Sequence, residues 1–252
     1  MLSDAQLSGE FIAYAINYIS GITNSTTLSV MSWSQGGLDV QWALKYWPSA
    51  RKAISHFIAV SPDFHGSTMM PLLCGDGNGI LRGAFDRCAP SVRQQGYNSN
   101  FVTALRANGG DAALVPTTVI YTGYDAFVKP QSGTNASAYL LDTHGAGVTN
   151  NQIELVCATY DPRHRGASSS SLSHSNALVN GFAYHLIVDA LTNSGPGNID
   201  RLDMKIACKQ STWPGFKKLG SETAMYLAGA NIVGASDKSL KEPEIRKYAK
   251  NW

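Results

Sequence analysis

A serine hydroxyl attacks an acyl carbon only when a histidine takes its proton and an acid orients that histidine. In α/β chains such a serine sits on a sharp turn between a strand and a helix, flanked by small residues because backbone and helix approach closely. The pentapeptide Ser32-Trp33-Ser34-Gln35-Gly36 meets that requirement at Ser34: strand-forming residues precede it, Gly36 and Gly37 follow, and an amphipathic stretch begins there. Ser32 stands where the usual Gly-x-Ser-x-Gly pattern has its first glycine, and it is still small enough for the turn. Ser followed by Gly also caps ordinary helices, so the order of the partners carries the weight. Asp125 and then His174 follow Ser34 along the chain, which is the order Ser, acid, His. Asp63 is a second acid behind a strand, but it lies close after Ser34 and is expected to line the site. Among the histidines, His56 falls within a strand and His185 within a helix, while His65 and His144 have no such placement. His164 is the runner-up to His174, but Arg163 and Arg165 flank it and disfavour the imidazolium that forms during catalysis. No His/Cys/Asp spacing resembles a zinc site and no phosphate-binding glycine fingerprint occurs, so neither metal nor cofactor is expected.

The elements that must position these residues can be read from periodicity. Ser3 and Gln6 form a capping-box pattern, and Leu7, Phe11, Tyr14 and Tyr18 recur at helical spacing up to Gly21. Residues 28–33 read as a short buried strand ending at Ser34, and a helix carrying Leu38, Trp42 and Leu44 stops near Pro48. Residues 54–60 form the next strand, so strand, helix and strand make a βαβ unit and the sheet is parallel. The Gly-rich stretch from Cys74 to Cys88 reads as a loop, and a helical passage follows from Pro90 to about Asn108. Residues 115–122 read as a strand leading into Gly123-Tyr124-Asp125, which puts Asp125 at the carboxyl edge where parallel sheets place their sites. Residues 153–158 read as the last strand and residues 177–191 as a helix, with His174 in the loop between them. Neither an internal repeat nor a linker interrupts this alternation, although residues 168–171 are a brief polar run.

With 252 residues, 44% apolar and 15% charged, the chain can bury a large core as one α/β domain. Its formal charge of +2 is interspersed, which excludes a nucleic-acid partner, and the basic residues Lys238, Lys241, Arg246, Lys247 and Lys250 read as a solvated end. No apolar run approaches the roughly 18 residues that a membrane span needs. Cys74, Cys88, Cys157 and Cys208 allow three pairings, among which the sequence alone does not choose. The simplest joins Cys74 to Cys88 and Cys157 to Cys208, contributing roughly 3 kcal/mol for the shorter loop and about 4 for the longer. Asn24-Ser25-Thr26 and Asn135-Ala136-Ser137 are glycosylation acceptors by pattern, which fits secretion. Met1-Leu2-Ser3-Asp4 nevertheless opens into an amphipathic helix with no signal peptide, so a missing N-terminus is expected.

The chain resembles the Candida antarctica lipase B family of fungal lipases. The likeness begins at Met1-Leu2-Ser3-Asp4 and is densest at Trp33-Ser34-Gln35-Gly36-Gly37-Leu38. It continues through Ser61-Pro62-Asp63, Ala89-Pro90-Ser91-Val92-Arg93-Gln94-Gln95 and Thr103-Ala104-Leu105-Arg106, then Val115-Pro116-Thr117-Thr118, Asp125, Pro130-Gln131 and Val156-Cys157. It thins near His174 and returns at Glu242-Pro243 and Tyr248-Ala249, covering nearly the whole chain. The resemblance implies an α/β-hydrolase fold, a mostly parallel central sheet with helices on both faces, as a single domain over 1–252. It implies a serine ester hydrolase acting on triacylglycerols or other carboxylic esters, with a lipid–water interface as its setting and secretion as its destination. Ser34, Asp125 and His174 would be nucleophile, orienting acid and base, and the backbone N–H of Gln35 an oxyanion donor. Trp33, Asp63, Gln95 and Phe127 would line the acyl and alcohol pockets. Alignment on Phe182 and Tyr184 favours His174 over His164, and Cys157 with Cys208 is similar to a family disulfide. Cys74 and Cys88 belong to a longer loop, 72–89, that is peculiar to this chain and expected to act as a lid.

The chain departs from the family pattern in three ways. Nothing here matches the family's N-terminal section, which carries two strands and the remaining oxyanion donors, and the loss of even one donor typically costs about 10²–10³ in rate. The nucleophile strand would then expose an unpaired edge prone to self-association. A family cysteine is also replaced around Lys241, and its partner would lie beyond Trp252. The alternative expectation is accordingly a weakly active or inactive hydrolase-fold chain that serves as a binding or dimerising module.

Overall fold

Alternation within one strand organises the molecule. In β2 (Ile54–Val60), Phe57 and Ala59 enter one apolar cluster while Ile58 and Val60 enter another, because successive side chains point to opposite faces. β2 pairs in parallel with β1 (Leu28–Trp33) on one side and β3 (Thr117–Tyr121) on the other, and β3 pairs in parallel with β4 (Val148–Gln152). The computed structural model describes residues 2–74, 88–162, 172–215 and 239–250. The first face packs against α1 (Ala5–Thr23), α2 (Gln35–Tyr46) and α3 (Pro48–Ala53). Beyond these come α4 (Met69–Cys74), α5 (Pro90–Gln94) and α6 (Asn100–Arg106). The second face packs against α7 (Ile153–Cys157), α8 (Asn176–Val179), α9 (Gly181–Thr192) and α10 (Met204–Lys209). The expected parallel sheet with helices on both faces is present. Among the described residues no helix is long and apolar enough to cross a membrane, and no His/Cys/Asp/Glu group could hold a metal. Both disulfides of the simplest pairing are formed, Cys74 to Cys88 and Cys157 to Cys208.

Several elements differ from their reading in the sequence, each for a physical reason. The α1 cap is Asp4 rather than Ser3, its carboxylate accepting the N–H of Gln6 at 3.0 Å. The helix passes through the exposed Gly21 and ends at Asn24, which takes the left-handed conformation (φ 51°) that asparagine tolerates at a helix end. Among the described residues β1 is an edge strand with Ser29 and Met31 exposed, not a buried one. Pro48 closes α2 by opening α3, where a missing N–H costs nothing. The passage from Pro90 splits into α5 and α6, with Ser99 capping the second through the N–H of Val102. The last strand among the described residues is Val148–Gln152, and the apolar run after it is the helix α7. Ile153 and Cys157 of α7 face the core while Leu155 is 63% exposed, a helical and not an alternating pattern. Polar residues concealed β4: Asn151 donates to Val119 O, and Asn150 both donates to and accepts from the backbone of Leu140. Asn180 breaks the final long helix in two and caps α9 through the N–H of Ala183.

Candidate active site

β1 delivers Ser34 to the carboxyl end of the sheet in a sparsely populated conformation, φ 57° and ψ −134°. Two backbone hydrogen bonds hold the turn: Ser34 N–H donates to Val60 O at 3.0 Å, and Gly37 N–H donates to Ser34 O at 2.8 Å. Gly37 is the glycine that sterics demand, since a Cβ there would lie 2.6 Å from Cβ of Pro62. α2 begins at Gln35, which sets the N-terminal end of the helix immediately after the nucleophile. Ser34 itself is half-buried and reachable.

The structure brings Asp125 and His174 to Ser34. His174 Nε2 lies 2.8 Å from Ser34 Oγ, and His174 Nδ1 lies 2.6 Å from Asp125 Oδ2. A carboxylate at Nδ1 keeps a proton there, which leaves the Nε2 lone pair facing the serine hydroxyl. Oδ1 of Asp125 accepts the N–H groups of Phe127 at 2.8 Å and Val128 at 2.9 Å, fixing the carboxylate in its turn. The His174 carbonyl is anchored by Trp33 Nε1 at 3.2 Å and Ser61 Oγ at 3.3 Å. Trp33 and Phe127 flank the imidazole, with ring centroids 5.2 and 5.8 Å away.

Asp63 is fully buried, and burial pushes its carboxyl up to about 7, with the charge of His174 opposing the shift and that of Asp39 adding to it. It makes no hydrogen bond to His174. Gln95 Nε2 donates to Gln35 Oε1 at 3.1 Å, placing that side chain beside the nucleophile turn. The remaining histidines lie elsewhere: His56 Nδ1 pairs with Ser55 Oγ, His144 Nε2 with Gly109 O and His185 Nε2 with Gln210 Oε1. Burial pushes His65 down to about 4, with the charge of Arg106 adding to the shift. His164 and most of the loop 72–89 lie outside the described residues.

Three further residues support the site without having been singled out in the sequence. Asp39, one turn after Gln35, accepts from Gln35 Nε2 at 3.3 Å and is buried. The spacing of four on an otherwise apolar helix face is the signal that could have found it. Glu154 Oε1 accepts the N–H of Gly123 and the Nε2 of Gln152, both at 2.6 Å, and Lys129 Nζ donates to Gly123 O at 3.0 Å. These two grip the turn that carries Asp125, and nothing in their sequence positions announces it.

Comparison with known proteins finds no matching family model. Lipase B of Pseudozyma antarctica is 30% identical over 259 residues, covering 99% of this chain and 68% of that protein. The crystal structure of Aspergillus fumigatus lipase B aligns with a TM-score of 0.88 at 44% identity, covering 99% of this chain and 57% of that one. The chain therefore spans little more than half the length of the Aspergillus protein, and the correspondence extends over its α/β-hydrolase fold.

Proposed function

Because the chain belongs to the fungal lipase B family, we propose that it hydrolyses carboxylic esters, triacylglycerols among them, within one domain and through an acyl-enzyme on Ser34. The observation that carries this reading is the continuous hydrogen-bond chain from Asp125 through His174 to a half-buried Ser34 hydroxyl. Ser34 Oγ attacks the ester carbonyl carbon as its proton passes to His174 Nε2. Asp125 stabilises the imidazolium, and the N–H of Gln35 meets the developing oxyanion. His174 then protonates the departing alcohol, and a water activated by the same histidine cleaves the acyl-enzyme. Trp33, Phe127, Asp63 and Gln95 are assigned to the walls that receive acyl and alcohol groups. The two disulfides fit an oxidising, extracellular setting, and exposed Asn24 and Asn135 are the positions for glycans.

A fluorophosphonate should label Ser34 in the folded chain. Ser34→Ala should abolish labelling and cut turnover of a short-chain nitrophenyl ester by at least about 10⁴-fold. Equal turnover by the two chains sinks the proposal.

A second reading, association with a second copy of the chain, is favoured by one observation. Among the described residues β1 pairs only with β2, and near that end of the sheet Met31 and the α1 side chains Phe11, Tyr14, Tyr18 and Ile22 are all exposed. Open strand edges beside apolar surface pair readily. Light scattering over a concentration series tests it, and a monomer throughout removes it.

A further inference from the structure

Resting on the ester-hydrolase reading, the geometry points to Ser67 as a positioning residue for catalysis: its hydroxyl clasps the chain just after Asp125, as Glu154 grips it just before, and so holds the acid against His174.

Asp125 Oδ1 accepts the N–H groups of Phe127 and Val128, which closes the turn from within and leaves the Phe127 carbonyl and the Lys129 N–H to be met from elsewhere. Ser67 Oγ meets both. It donates to Phe127 O at 2.5 Å and accepts Lys129 N–H at 3.1 Å, while its second lone pair takes Met69 N–H at 3.2 Å. A hydroxyl has one proton and two lone pairs, so these three bonds use its whole capacity. Because Ser67 is also only 1% exposed, its part is to support the site and not to touch substrate. The next residue extends the clasp, with Thr68 N–H donating to Lys129 O at 2.9 Å.

Ser67 can fix the turn because it is itself fixed. Its N–H donates to Gln95 O at 2.7 Å, and its carbonyl accepts Tyr97 N–H at 3.2 Å. Gly66 (φ 71°) allows this approach, since a Cβ there would lie 2.8 Å from Gln95 O. From Ser67 the chain runs through α4 to Cys74, across the disulfide to Cys88, and through α5 to Gln95, so the disulfide and one hydrogen bond close a ring through Ser67. The acid turn hangs on that ring. Phe127 belongs to the same turn, and its ring lies 5.8 Å from the imidazole, so one hydroxyl sets both the carboxylate at His174 Nδ1 and an aromatic flank of His174.

The test measures turnover of the short-chain nitrophenyl ester and the rate of fluorophosphonate labelling in the full chain. Ser67→Ala removes the clasp, and a displacement of Asp125 on the order of 1 Å should lower kcat by about 10- to 100-fold while KM changes by less than about threefold. Labelling of Ser34 should slow by a similar factor, because it needs the same base. Ser67→Thr keeps the hydroxyl and should retain most of the rate. The far-downfield proton resonance of His174 Nδ1–H reports its hydrogen bond to Asp125, and it should weaken or move in Ser67→Ala and persist in Ser67→Thr. A residue that only adds stability would lower the melting midpoint and leave that signal alone. Thermal melts check folding, and if Ser67→Ala does not fold, Ser67→Cys, a weaker donor and acceptor of similar shape, takes its place and should lower kcat in the same sense. An unchanged kcat in the folded variant, a loss confined to KM, a threonine variant no better than alanine, or an unmoved resonance beside a fallen rate would each overturn the assignment. Any of these with Ser34 labelled rejects only the role of Ser67, whereas an unlabelled Ser34 in the unaltered chain rejects the hydrolase reading and the inference with it.

Discussion

Asp125 and Asp63 both follow a parallel strand, both are buried, and both lie within electrostatic reach of His174. They differ in what their oxygens touch. Asp125 has two backbone N–H groups on Oδ1 and the imidazole Nδ1 on Oδ2, whereas Oδ1 of Asp63 has no partner among the described residues. Burial alone raises a carboxyl, and hydrogen bonds to the charged form are what let it serve as an anion. The pair teaches that depth does not select the orienting acid. The arrangement of donors around the carboxylate does.

The largest effect should come from the first member of the pair. In Asp125→Asn the amide would favour the tautomer with its proton on Nε2, the wrong end for accepting from Ser34, and kcat should fall by ~10⁴. Asp63→Asn, measured on the same nitrophenyl ester, should stay within about tenfold of the unaltered chain, because no proton in the relay passes through it. Comparable losses in the two variants would break the distinction.

A smaller effect should follow from the support beneath Asp125. Glu154→Ala removes the acceptor that fixes Gly123, and a displacement of the acid on the order of 1 Å can cost about 10² in rate. Glu154→Gln keeps an acceptor at Oε1 and should retain most of the activity. If alanine and glutamine behave alike in steady-state turnover, the turn does not depend on that contact.

The same distinction explains what could be read in the sequence. Ser34, Asp125 and His174 stood out because a strand-to-helix turn, a strand end and a loop before a helix are local features with local residue signals. The resemblance added the pocket walls and favoured His174 over His164. β4 was misplaced because its polar side chains are satisfied by Leu140 and Val119, partners that no reading of local periodicity contains. Glu154 is hidden for a related reason, since it looks like an ordinary charged residue until the chain folds Gly123, 31 positions away, against it. Asp39 carries only the weak local signal of its spacing of four from Gln35.

The smallest effect concerns stability and tests the second member of the pair directly. Burial raises Asp63 from an ordinary aspartate value to about 7, so between about pH 4 and 7 the folded chain holds a proton there that the unfolded chain has released. That contribution is fully present below the unfolded pKa and is lost as pH rises through 7. His65, pushed down to about 4, works in the opposite sense between 4 and its usual range, and Asp39, which burial pushes up to about 7, works in the same sense as Asp63, so the absolute slope of the unaltered chain mixes these contributions. The difference between the unaltered chain and Asp63→Asn removes the parts that both chains carry. Asparagine does not ionise, so its midpoint in thermal unfolding should gain on the unaltered chain from pH 5 to pH 8. A gain of several degrees corresponds to a shift on the order of a few kcal/mol. A difference that stays flat over that range would mean that Asp63 is ionised in the fold at little cost, and the contrast with Asp125 would then rest on geometry alone.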